Sequence, residues 1–79
     1  MTTQFIEDTR VTTKSNSNED AVLYLDRRRV ARLPGNDVSD MAIADRLEDY
    51  LGCYTVVAID GGWMAFDTVP EYRTWNYSI

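Results

Sequence analysis

Seventy-nine residues make one domain and are too few for two. A chain this short buries only about 60% of the surface its unfolded form exposes, which disfavours the deep, doubly supported pocket of an enzyme. With 44% hydrophobic and 27% charged residues, the composition is that of a globular chain and excludes a disordered one.

The net charge of −5 is unevenly spread. Residues 1–35 carry five acids against six bases, whereas residues 36–79 carry eight acids against two bases, Arg46 and Arg73. Nucleic-acid affinity comes mostly from Lys and Arg on phosphates, so direct nucleic-acid binding is not expected. A basic protein surface is the partner such an acidic half favours. Moderate negative charge also serves solubility, and a salt-adapted host would give the same acidity.

Histidine is absent. That removes the commonest general base, the Ser-His and Cys-His pairs and most zinc sites. One cysteine, Cys53, allows neither an intramolecular disulfide nor a metal cage and reads as a small packed hydrophobe. Neither Pro34-Gly35 nor Gly61-Gly62 carries the surroundings of a phosphate-binding loop. No catalytic residue, metal or cofactor is therefore expected. No apolar run reaches the ~18 residues of a membrane span, and the first ten residues lack the layout of a secretory leader. The expectation is a cytoplasmic monomer without membrane contact.

Residues 3–13, rich in Thr, Val, Ile and Phe, are predicted as a first strand. The polar run Lys14–Asp20 reads as a loop. Residues 21–26 are a second strand, and residues 29–33 return after a tight turn near Asp26, Arg27 and Arg28 whose register no glycine marks. Pro34 and Gly35 end that strand, and Asp37 is placed to cap a helix over Val38–Leu51. Ile43, Ala44, Leu47, Tyr50 and Leu51 form its apolar face, and Gly52 stops it.

Residues 54–60 and 63–69 flank Gly61 and Gly62, a two-residue hairpin signal in which both glycines would hold positive φ. That loop pairs Ile59 with Met64 and Val57 with Phe66 on an apolar face directed at the helix. Pro70 breaks the strand, and residues 72–79 alternate, with Trp75, Tyr77 and Ile79 on one side of a last half-buried strand. The predicted fold is α+β in the order β-β-β-α-β-β-β. It is a mostly antiparallel sheet of five to six strands with one helix packed on it, a single domain over residues 1–79.

The helix carries the most informative charges. Asp45, Glu48 and Asp49 lie opposite its apolar face, with Asp37 and Asp40 at its start. Acids in the last turn oppose the helix dipole at a cost of ~0.3–1 kcal/mol per group, and Asp45 and Asp49 repel as an i,i+4 pair. A pattern that local energetics disfavours points to a partner, although a solvated face tolerates costs this small. Trp63, read as exposed beside the glycine turn, forms a second candidate surface with Tyr72, Asp60, Asp67 and Glu71. The other reading of these aromatics is an inner apolar layer. Arg27, Arg28, Arg29 and Arg32 make a basic knob without a neighbouring aromatic. It reads either as a solvated turn that protects a strand edge or as a contact for RNA or an acidic protein.

A short, acidic, histidine-free chain with a hairpin over Ala21–Leu33, a helix over Val38–Leu51 and a hairpin over Tyr54–Val69 resembles the small phage-encoded anti-CRISPR proteins. The resemblance spans the chain in size, charge and element order. That group shares no common motif, so it assigns no residue a role. It implies a stoichiometric inhibitor of a bacterial defence complex such as CRISPR Cascade, in the cytoplasm of an infected host, with the acidic half standing in for phosphates. Two other readings are a regulatory or structural subunit that adds a strand to a partner's sheet, and an antitoxin-like neutraliser of a basic partner.

Overall fold

The computed structural model describes residues 3–15 and 20–77. The fold is α+β, with two antiparallel three-stranded sheets and two helices in place of one sheet and one helix. The stretch predicted as a first strand is two strands, β1 (Gln4–Glu7) and β2 (Val11–Ser15), divided by a 3-10 turn over Asp8–Arg10. That turn is tied down where the Asp8 backbone N donates to the Gly61 carbonyl oxygen at 2.9 Å. It sends the chain from one sheet into the other. The middle of the predicted polar loop, residues 16–19, lies outside the described residues, while Lys14, Ser15 and Asp20 belong to strands.

The second sheet has the order β2-β3-β4, with β3 over Asp20–Leu25 and β4 over Arg28–Pro34. Asp26 and Arg27 form the two-residue connection, with φ of 51° and 69°. Positive φ at both positions is the type I′ geometry, here without a glycine. Asp26 is held by Arg10, whose Nε and Nη2 donate to its two carboxylate oxygens at 2.9 and 2.7 Å. The register shifts between Leu23 and Tyr24, which leaves Val30 as the extra residue of a bulge in β4.

The helix α1 runs over Asp40–Leu51, two residues shorter than expected. Its cap is Ser39, whose hydroxyl accepts from the Ala42 backbone N at 3.2 Å; Asp37 instead accepts from the Ser39 backbone N at 3.1 Å. Gly52 ends the helix with φ 66°, as expected of a C-terminal glycine. Ile43, Ala44 and Leu47 are buried as the periodicity requires, whereas Tyr50 is exposed.

The first sheet has the order β1-β6-β5, with β5 over Thr55–Ile59 and β6 over Gly62–Phe66. The hairpin turn is Asp60-Gly61, so Ile59 faces Gly62 and Val57 faces Met64. This is a two-residue slip from the predicted pairs, and it preserves the faces. Gly61 alone has positive φ, 83°. Gly62 stands in the strand, where a Cβ would run into the Ile6 carbonyl oxygen and lie 3.1 Å from the Phe5 ring. Gly62 is thus glycine because β1 crosses it, not because it turns.

The helix α1 covers the face opposite to the predicted one. Val56, Trp63 and Ala65 join Ile6 and the α1 stripe in the core, together with Ala21, Leu23, Leu25 and Leu33 of the second sheet. Phe66, on the other face, meets a second helix, α2 (Val69–Tyr77), where a last strand was expected. Ring centroids of Tyr72 and Trp75 lie 5.5 and 5.1 Å from that of Phe66. The Thr68 hydroxyl accepts from the Glu71 backbone N at 3.3 Å, and Pro70 sits in the first turn, where a missing N–H breaks no helical bond. These start signals override the strand-like alternation of residues 72–79, the last two of which lie outside the described residues.

The two glycines of the β5–β6 hairpin should separate on substitution. Gly62→Ala meets backbone and is expected to cost about 3 kcal/mol or more; Gly61→Ala meets only its own positive φ and is expected to cost about 1–2 kcal/mol. Chemical denaturation of the two variants measures both. A Gly62→Ala loss smaller than that of Gly61→Ala would contradict the register.

Candidate protein-binding face

The nine residues singled out from the sequence fall into separate places. Asp37, Asp40, Asp45 and Asp49 are exposed along α1 and its entry. Asp60 is exposed at the β5–β6 turn. Asp67 and Glu71 are half-buried around the start of α2, at the other end of β6. Five strand residues at about 3.4 Å each keep Asp60 well away from them. Trp63, read as exposed, is 6% exposed and lies beneath α1, its indole N–H reaching the Asp40 carbonyl oxygen at 3.5 Å. Tyr72 and Trp75 lie across the sheet from it, so no continuous aromatic surface forms.

Glu48 is also not free. Its Oε2 accepts from the Val56 backbone N at 3.1 Å, closing an outward-facing donor on the β5 edge. An open N–H on this edge is what an added strand would need, and Glu48 occupies it. Asp37 is a local structural residue as well as a surface charge. Hydrogen bonds from the Ser39 side chain and backbone hold its carboxyl below the usual range. Its contribution is therefore present above the unfolded pKa and is lost as pH falls through the lowered folded value. The Cys53 thiol is half-buried and pushed up by that burial, with its S–H 3.8 Å from the Thr55 carbonyl oxygen. That disfavours the thiolate, the form that attacks electrophiles and binds metals.

What remains on α1 is an acidic ridge with an apolar centre. Met41 is 82% exposed and shares its helix sector with Asp45, four residues on. On one side, a groove of about 500 Å³ runs between the end of β4 (Leu33, Pro34) and Asp37, Met41 and Asp45. On the other, a groove of about 350 Å³ separates Met41, Asp45 and Glu48 from Val56 and Ala58 of β5. Val38, nearly half exposed, precedes the ridge at the entry to α1, whereas Tyr50, similarly exposed, lies about half a turn round the helix from Met41. The sequence held the signal for Met41: it lies off the 43-44-47-51 stripe and on the acidic one. Methionine adapts its shape to irregular partners, and acids around it select basic ones.

No protein-family model, curated protein or solved structure matches the chain. Among the described residues, no group of three His, Cys, Asp or Glu side chains is placed to hold a metal, and no helix is long and apolar enough to cross a membrane.

The Glu48 contact is testable on its own. Glu48→Ala leaves the Val56 N–H half-buried without its acceptor, and a loss of about 1.5 kcal/mol in stability is expected. Thermal and urea melts would measure it. Unchanged stability would show that the β5 edge does not need the carboxylate.

Proposed function

We propose that this chain is a small protein-binding inhibitor whose α1 ridge seats on a basic, nucleic-acid-binding protein surface. The observation that carries the reading is Met41, 82% exposed and set among Asp37, Asp40 and Asp45 between two grooves. An exposed methionine supplies desolvated contact area, and the surrounding carboxylates supply orientation and a fast encounter. Asp49 extends the negative surface toward the end of the helix, where it opposes the dipole and repels Asp45. The finer proposal, inhibition of a CRISPR effector complex of the Cascade type, is supported by size and charge; element order supports it less, because α2 replaces the expected last strand.

The test is displacement of labelled DNA from a purified type I CRISPR effector complex at low and high salt. The wild-type chain is expected to displace DNA, more weakly as salt rises. Asp45→Lys with Asp49→Lys is expected to weaken displacement about tenfold or more while leaving the melt unchanged or slightly higher, since Lys suits the end of the helix. Glu48 is left out because it holds Val56. No displacement by wild type at low salt would refute the inhibitor reading; full displacement by the double variant would refute the ridge.

A further inference from the structure

The other pole of the molecule carries a second surface. On β3, alternation turns Ala21, Leu23 and Leu25 into the core and Val22 and Tyr24 outward. The registers then fix the neighbours. Tyr24 pairs with Thr12 on β2 and Arg29 on β4, and Val22 pairs with Lys14 and Arg32. Directly opposed side chains on one face stand about 5 Å apart, so the aromatic ring has Arg29 beside it on β4, and Lys14 on β2 is a diagonal neighbour at about 7–8 Å. Thr12, Lys14, Arg29 and Arg32 are all exposed. Val22 is only 9% exposed, although it stands outside the core cluster.

Among the described residues, the two acids of this sheet and its β3–β4 turn are already matched. Asp20 pairs with Arg32 at 2.9 Å and Asp26 with Arg10 at 2.7 Å. Lys14, Arg27, Arg28 and Arg29 form no salt bridge among the described residues. Arg27 moreover sits at φ 69°, a position that favours glycine by about 1–2 kcal/mol. An arginine kept in the left-handed region at the tip of a basic hairpin is a local cost for which the fold shows no return. Tyr24 precedes the arginines by only three residues, and the β3–β4 register sets it directly opposite Arg29.

We propose that the outer face of β2-β3-β4 binds single-stranded nucleic acid, with phosphates on Lys14, Arg29 and Arg27 at the hairpin tip and a base stacked on Tyr24. A flat face with an aromatic platform among unpaired cations suits a flexible strand whose bases are free to stack. The surface is independent of the α1 ridge. Together the two poles fit a chain that engages a basic protein and the strand that protein handles.

Fluorescence anisotropy of a labelled oligothymidylate of about 12 nucleotides, with the full chain, tests this. Binding is expected at about 50 mM salt and should weaken about twenty-fold by about 200 mM, the slope of roughly three phosphates on a single strand. Tyr24→Ala should weaken it about tenfold and Tyr24→Phe should restore it. Arg27→Gly should weaken binding severalfold while raising the melting temperature, because the turn relaxes. Lys14→Glu with Arg29→Glu should abolish it. Asp45→Lys with Asp49→Lys should bind at least as tightly as wild type, which separates this surface from the ridge. Absence of binding at low salt would overturn the proposal, as would indifference to Tyr24→Ala. Tighter binding to poly-glutamate or to phosphatidylserine vesicles would assign the face to an acidic protein or a membrane, and salt-sensitive dimers in sedimentation to the acidic half of a second copy; each would overturn it.

Discussion

The buried stripe of α1 is the contact on which the rest of the structure depends. Ile43, Ala44 and Leu47 sit in one core with residues of both sheets, and α1 packs on both β4 and β5. A three-stranded sheet with one apolar face is marginal alone, and neither sheet here can bury its inner face without the helix. Leu47, fully buried, lies in a cluster that includes Ile6 and Trp63 from one sheet and Leu23 and Leu33 from the other. Because α1 is fixed from beneath by two sheets, its outer surface is a rigid platform. The Met41 ridge is the part of that platform left to solvent.

The same arrangement divides the charges. The second sheet and its β3–β4 turn hold four of the seven arginines, and their described acids are paired through Arg10–Asp26 and Arg32–Asp20. The helix and the first sheet hold most of the remaining acids. The molecule is 42 Å long and about 20 Å across, large enough to hold surfaces of opposite sign more than a Debye length apart at physiological salt, about 8 Å. Each surface therefore presents its own sign to a partner, and the net charge of the chain describes neither.

Much of the fold is legible in the sequence where one local signal speaks alone. The α1 stripe, its Gly52 stop, the β3–β4 hairpin and the existence of the β5–β6 hairpin all follow from periodicity and turn chemistry. The misread parts are places where two signals compete. Gly61-Gly62 looks like a glycine turn, but Gly62 answers to β1, a strand 55 residues earlier in the chain. Residues 72–79 alternate like a strand, yet Thr68, Pro70 and Glu71 announce a helix. The division of residues 3–13 between two sheets has no local mark beyond Asp8-Thr9-Arg10. For the candidate site, the acids were legible as a pattern but not their duties. Only the tertiary fold shows that Glu48 serves the β5 edge, that Trp63 is interior and that Tyr24 lies beside Arg29.

The account rests on α1 holding two sheets as one cooperative unit, and native-state hydrogen exchange on Leu47→Ala measures that most directly. Truncating this side chain is expected to remove about 3 kcal/mol of stability. The slowest amides of β3 and of β6 should lose protection together and by the same amount, because neither sheet persists without the helix. If the β3 amides kept wild-type protection while those of β6 lost theirs, or the reverse, the sheets would be independent units and the helix only a cover on one of them.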